Sequence, residues 1–312
     1  MSRYILSFLF ILAIQAGFAQ TEDFIEEEIK INEFTEGTLT NPSSGQAENL
    51  VIFIQGSGPT DRDGNQSMAK NDGVKKIARS LAENGIASFR YDKRIFKMQE
   101  LKIEEKDLKF DDFVKDTKDI LIHFQQKDLF KNLIVAGHSE GSLVGILASK
   151  DHANAFISLA GAGEPIDNII VEQVNKMAPQ LGENARTAFD EIKENGETSK
   201  YNPMLESLFR ASVQPYMYSW IQYDPSEEIK ELDMPVLIIN GTSDIQVEER
   251  QAELLHNAKE DSKLVLLENM NHIFRKMESD DRLVNTKSYN EPNRDLHPEL
   301  IAVITDFIKE LE

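Results

Sequence analysis

The 312-residue chain is 40% hydrophobic, ample for a buried core, and holds no cysteine, which excludes disulfides and thiolate metal sites. A formal charge of −20 makes phosphate backbones and anionic lipid poor partners, so no nucleic acid is expected. The length permits one large domain or two modest ones.

Met1 to Arg3, the apolar run Tyr4 to Ile14 and the small-residue stretch ending Ala19-Gln20 have the three regions of a secretory signal. Cleavage is expected after Ala19, which makes 1–19 a signal peptide and the mature protein an exported one, periplasmic or secreted. The apolar run is about 11 residues where a span needs about 20, so no stable membrane anchor is expected. Phe24 to Leu39 then reads as an antiparallel hairpin or meander.

From Val51 onward, short apolar runs alternate with helical patterns, the signature of a mostly parallel, doubly wound sheet. Strands are expected at Leu50–Ile54, Ile86–Arg90, Leu133–Ala136, Ala155–Leu159, Val236–Ile239 and Lys263–Leu267. Each run is continuous and rich in branched residues, as burial on both faces requires. Helices are expected at Val74–Glu83, Phe110–Gln126, Ser142–Lys150, Val247–Ala258 and after Pro298. Residues 164–232 show no strand and read as a helical cap inserted between two strands, with 20–163 and 233–312 forming the α/β core. Met177, Met204, Met217 and the cluster Tyr216-Met-Tyr-Ser-Trp220 are read as the core of that segment. Trp220 and the neighbouring tyrosines are the alternative candidates for a pocket wall.

The chemistry concentrates at Gly137-His-Ser-Glu-Gly141, which follows a strand and precedes a helix. A turn this tight needs glycine at 137 and 141, and it exposes Ser139 at the carboxyl end of the strand. The following helix aims its free N–H groups at the serine, where an oxyanion would form. A serine hydroxyl needs a base, and the base an orienting carboxylate. Asp244 and His272 follow the strands Val236–Ile239 and Lys263–Leu267 in the required chain order, so three loops converge on one edge. His123 and His256 fall within helices, His152 follows one, and His297 precedes Pro298. His138 is expected to turn away from the site, and Asp233 and Asp224 lie on the wrong side of their strand.

The loop Gly56-Ser-Gly-Pro-Thr-Asp-Arg-Asp-Gly-Asn65 fits neither a dinucleotide fingerprint nor a phosphate loop. As a calcium loop it has Gly64 two positions early and Asp72 where glutamate is required, so no metal and no cofactor are expected. What remains is an oxyanion role, with Ser57 N–H as one donor and Glu140 N–H as the other. The Glu140 carboxylate needs a cationic partner, and Arg90, Lys93 and Arg94 are available for ion pairs with Asp61, Asp63 or Glu140.

Together the segments G-S-G-P-T-D-R-D-G, R-Y-D-K-R, G-H-S-E-G, D-I-Q-V and N-H-I-F span nearly the whole sheet domain. With them the chain resembles the α/β-hydrolase superfamily, and within it bacterial capped esterases and serine aminopeptidase (S33)-like hydrolases. One departure is Ile95, where such proteins usually continue with glycine. The resemblance implies hydrolysis of carboxylic esters, with short acyl chains, through an acyl-enzyme on Ser139. The alternative is an exopeptidase or amidase, for which Glu172, Glu206 or Asp224 could anchor a charged terminus; a binding protein on an inactive fold is the third. The substrate is accordingly a small-molecule ester or a short peptide, and the sequence sets no oligomeric state.

Overall fold

The structure is a computed structural model that describes residues 23–311, so the export-signal reading of residues 1–19 lies outside the described residues. Eight strands form one sheet: β1 (Phe24–Lys30), β2 (Glu36–Pro42), β3 (Asn49–Ile54), β4 (Ala87–Tyr91), β5 (Asn132–His138), β6 (Ala155–Leu159), β7 (Val236–Gly241) and β8 (Lys263–Leu267). Their order is β1-β2-β4-β3-β5-β6-β7-β8. The two pairings of β2 are antiparallel and the other five are parallel. The expected hairpin is thus β1–β2, and all six expected strands form.

Burial explains the composition of each strand. Every residue of β3, β4, β6 and β7 is buried, because helices cover both faces, whereas β1 at one edge is largely exposed. Within β3 the side chains alternate: Val51 and Phe53 join one core layer, Leu50, Ile52 and Ile54 the other.

Four helices precede β6: α1 (Gly73–Glu83), α2 (Met98–Leu101), α3 (Phe110–Lys127) and α4 (Glu140–Ser149). Five lie between β6 and β7: α5 (Ile166–Met177), α6 (Gly182–Asn195), α7 (Glu206–Phe209), α8 (Gln214–Trp220) and α9 (Pro225–Glu228). After β7 come α10 (Glu249–Ala258), α11 (Arg282–Ser288) and α12 (Leu300–Lys309). The layer with Leu50 and Ile52 runs without a break into Phe189, Phe209 and Trp220, so the inserted helices share the sheet's core. The indole of Trp220 stacks on Phe110 at the start of α3, with centroids 5.4 Å apart and planes 5° from parallel. Two of the three methionines assigned to that core are instead exposed, Met177 at 77% and Met204 at 71%, while Met217 is buried. Met177 ends α5, and Met204 occupies a single turn in which only Leu205 is buried.

The site depends on how α4 meets the sheet. All ten of its residues are buried, and a Cβ built on Gly141 would stand 2.4 Å from the Ile54 carbonyl oxygen at the end of β3. Backbone cannot move aside as a flexible side chain can. Gly141→Ala is therefore expected to lower stability by about 4 kcal/mol or more, read as the urea midpoint of the purified variant or as its failure to accumulate in soluble form. A midpoint equal to that of the parent would contradict this account of the turn.

Candidate active site

Ser139 links β5 to α4 with φ 55° and ψ −121°, a conformation that a residue with a Cβ holds only when its surroundings impose it. Its own N–H donates to the Leu159 carbonyl at 2.9 Å and its carbonyl accepts from Ser142 N–H at 2.9 Å. Ser139 N–H is therefore committed to the sheet. Glu140 N–H, at the first helical position, has no intrahelical acceptor.

The loop after β7 carries Asp244, and the loop after β8 carries His272; both side chains are buried. Asp244 Oδ1 accepts from the N–H groups of Gln246 at 2.8 Å and Val247 at 2.9 Å, which fixes the carboxylate. Its Oδ2 lies 2.7 Å from His272 Nδ1. A carboxylate there assigns the proton to Nδ1, which leaves Nε2 as the basic nitrogen.

His138 does not turn away as expected. Its Nε2 donates to the His272 carbonyl at 2.9 Å, and the two rings lie 4.6 Å apart. Burial, together with the neighbouring His272, pushes its pKa down to about 3, so it stays neutral and braces the loop of the base. Adjacency to Ser139 did not predict this, because a one-residue step along β5 says nothing about what the opposite loop presents.

The glycine-rich loop after β3 closes over the serine. A Cβ on Gly56 would stand 3.2 Å from Ser139 Cβ, which brings the neighbouring Ser57 to the same point. The loop's acidic residues brace it. Asp61 Oδ1 accepts from Asp63 N–H at 3.0 Å and Asn65 N–H at 2.8 Å, and Asp63 pairs with buried Arg90 at 2.5 Å. Arg62 reaches Asp92 at 2.7 Å, and Arg94 reaches Asp116 at 2.7 Å. Among the described residues no group of His, Cys, Asp and Glu could hold a metal ion.

The cationic partner of Glu140 is Lys93, whose Nζ lies 3.6 Å from Oε1, while the Tyr216 hydroxyl on α8 donates to Oε2 at 2.9 Å. Lys93 also donates to the Gly56 carbonyl and sits over the Phe113 ring, 5.3 Å from its centroid. Burial lowers its pKa against the pull of Glu140. One buried ammonium thus touches the residue before Ser57 and the side chain of Glu140, Ser57 and Glu140 being the two residues expected from the sequence to supply the oxyanion N–H donors. Sequence reasoning foresaw the cation, but not its second contact or the tyrosine.

Two cavities meet at Ser139 and share Ser57 and Gln246. The larger, about 310 Å³, runs beneath the inserted helices, with Leu143, Ile166, Ile169, Leu208, Met217 and Trp220 in its walls. The smaller, about 170 Å³, is lined by His272, Thr60, Gln66, Asn71 and Tyr289 among others. Trp220 is therefore both core and wall. Glu172, Glu206 and Asp224 reach neither cavity: Glu172 pairs with Lys176 at 2.9 Å, Glu206 accepts from Tyr201 at 2.8 Å, and Asp224 caps α9 through Ser226 N–H at 3.0 Å. Buried Arg275 was also missed; it donates to the Asn71 carbonyl and so ties the His272 loop to the start of α1.

A mostly parallel sheet with a strained serine between strand and buried helix defines the α/β-hydrolase fold. Est1E from Butyrivibrio proteoclasticus shares that fold with a TM-score of 0.58 over 92% of this chain and 98% of its own, at 17% identity. Proline iminopeptidase from Mycobacterium smegmatis does so with a TM-score of 0.53 over 92% and 98%, at 14% identity. Residues 72–279 match the model of the serine aminopeptidase S33 family, and the chain belongs to that family. Esterase EstD from Thermotoga maritima is 26% identical over 271 residues, which make up 82% of this chain and 61% of that relative.

Removing the Lys93 ammonium frees the Gly56 carbonyl and leaves Glu140 without its cation. Lys93→Met is expected to react at Ser139 with a fluorophosphonate at least ~10-fold more slowly while retaining a cooperative melt, with Lys93→Arg recovering part of the rate. Parental labelling by Lys93→Met would refute the clamp. For His138 the sign runs toward acid instability: below about 6.5 the unfolded chain takes up a proton that the folded one refuses until about 3. Stability should fall by on the order of 1 kcal/mol per pH unit across that window from this group. Melts of His138→Gln between pH 7 and 4.5 should show a shallower decline than the parent, and parallel declines would exclude His138 as the source.

Proposed function

We propose that the protein is a carboxylesterase-type serine hydrolase, working through a Ser139–His272–Asp244 triad and an acyl-enzyme. The observation that carries this reading is the 2.7 Å pair between His272 Nδ1 and Asp244 beside a cavity that His272 lines together with Ser139. His272 Nε2 takes the Ser139 proton as Oγ attacks the ester carbonyl. The oxyanion lies between the N–H groups of Ser57 and Glu140, which need no reorganisation as charge develops. Collapse breaks the ester C–O bond, His272 returns the proton to the departing alcohol, and the acyl group stays on Oγ. Water, deprotonated by His272, then attacks the acyl-enzyme, and Ser139 recovers its proton as the acid leaves. Asp244 holds the imidazole throughout.

An ester is favoured over an exopeptidase substrate by the state of the carboxylates at the larger cavity. Glu140 is engaged by Lys93 and Tyr216, and Glu164 by Gln251 at 2.6 Å and Arg250 at 3.0 Å. Neither is left to receive the α-ammonium of a peptide. The larger cavity is the acyl site in this reading, with residues 164–232 acting as a cap. At ~30 Å³ per heavy atom, as in liquid water, its 310 Å³ holds about ten such atoms, which favours short acyl chains. The N-terminal sequence supports export as the setting for this activity.

Nitrophenyl esters of increasing chain length should give the highest kcat/KM at about four to eight carbons and decline beyond about ten, with Trp220→Ala moving the decline to longer chains. Ser139→Ala should abolish turnover, and Asp244→Asn should lower kcat by about 10⁴ with the fold retained. Aminoacyl or prolyl anilides turned over faster than the esters would replace this reading with the exopeptidase one.

A further inference from the structure

We infer that the smaller cavity is the leaving-group site and that it selects esters of neutral, hydroxylated alcohols. The inference rests on the esterase reading above. A histidine that returns a proton to the departing oxygen must lie within about 2.6–3.2 Å of it, so the alcohol extends into whichever cavity His272 lines. Of the two cavities that meet at Ser139, His272 lines the smaller and is absent from the walls of the larger. The acyl group is thereby directed under the helices and the alcohol toward the loops of the sheet edge.

The chemistry of those loops defines the alcohol. Besides His138, Ser139 and His272, the polar side chains lining the smaller cavity are Ser57, Thr60, Gln66, Asn71, Gln246 and Tyr289, and it has no Asp, Glu, Lys or Arg. Asn71 is committed to the backbone: its Nδ2 donates to the Gly64 carbonyl at 3.0 Å and its Oδ1 accepts from Gly73 N–H at 2.8 Å. Gln66 Nε2 donates to Thr60 Oγ1 at 2.8 Å and Gln246 Nε2 donates to the Tyr289 oxygen at 3.1 Å. These bonds orient both amides and leave their carbonyl oxygens, with the Tyr289 hydroxyl hydrogen, to a ligand. Two acceptors and a donor match a vicinal diol, which offers both in a compact space.

Other leaving groups fit less well. An anionic alcohol would meet no cation and an overall charge of −20, and a quaternary ammonium would meet no carboxylate. An aliphatic alcohol would strip water from the amides and the phenol without replacing their hydrogen bonds, and a site built to bond a hydroxyl rejects the analogue that lacks it. The volume, about that of six water molecules in the liquid, suits a glycerol-sized group.

The test holds the acyl group fixed and varies the alcohol, comparing 1-butanoylglycerol, ethyl butanoate and butanoylcholine on the full chain. The glycerol ester is expected to exceed both others in kcat/KM by at least about tenfold. Tyr289→Phe and Gln66→Leu should each bring the glycerol-to-ethyl ratio several-fold closer to one. Equal values for the glycerol and ethyl esters, a preference for the choline ester, or a ratio untouched by both substitutions would overturn the leaving-group assignment while Ser139-dependent ester hydrolysis stands. No Ser139-dependent turnover of any ester would overturn the esterase reading, and the inference with it.

Discussion

The site depends on how closely α4 approaches the ends of β3 and β5. At Gly141 the helix backbone comes so near the Ile54 carbonyl that no side chain fits, and at Gly137 a Cβ would stand 2.1 Å from the Gly141 carbonyl. That contact forces the chain to reverse within a residue, which is what holds Ser139 at positive φ. It also dictates the sequence of α4. A helix buried on every side must be apolar and, where it crosses the sheet, small: a Cβ on Gly145 would stand 2.7 Å from the Phe156 ring. The one charge the helix carries, Glu140, is where the free N–H groups of its first turn are, and burying it uncompensated would cost several kcal/mol. Lys93 and Tyr216 follow from that cost.

The same buried contacts join loops that are distant in sequence. Lys93, after β4, holds the loop after β3 and the helix after β5. Tyr216 brings in α8, so the inserted helices are bonded to the residue next to Ser139. On the other side, His138 grips the backbone of His272, and Arg275 grips Asn71 ahead of α1. The imidazole is thus fixed at three points: its ring nitrogen by Asp244, its carbonyl by His138 and its loop by Arg275. An imidazole that must be placed to within a fraction of an ångström requires this kind of bracing from the residues around it.

How much of this was legible follows from what each signal encodes. Continuous branched runs mark strands of a covered sheet, so all six parallel-sheet strands could be placed, although β8 at the edge is exposed or half-buried except at Leu267 rather than buried on both faces. The spacing of Gly137, Ser139 and Gly141 encodes a turn that few other folds require. The positions of Asp244 and His272 follow from chain order on a parallel sheet, since every such loop emerges at the same edge. Periodicity does not encode which loops touch. Tyr216 and Glu140 are 76 residues apart, and nothing in either neighbourhood marks the other. The inward side chain of His138 and the outward ones of Met177 and Met204 escaped for the same reason: residue type gives a preference for burial, and the packing of a neighbouring element decides the outcome.

The two cavities draw on different parts of the chain, and that division bears on how specificity can change. Most walls of the larger come from α5, α7, α8 and α9, all within the insertion between β6 and β7, joined by Leu143 of α4 and by Ser57, Gln246 and Val247 of the sheet-edge loops. Walls of the smaller come from the loops that also position the serine, the acid and the histidine. Cavity-facing side chains on the insertion such as Ile166, Ile169 and Leu208 are not among the contacts that impose the Ser139 conformation, which come from β3, β5 and α4. Those around the smaller cavity cannot be exchanged so freely: Asn71 holds the turn into α1, and Thr60 and Gln66 hold the loop that carries Ser57. Under the proposed esterase reading, acyl recognition is therefore the adaptable half and alcohol recognition the constrained half. The constraint comes from backbone hydrogen bonds that the site needs whatever its substrate.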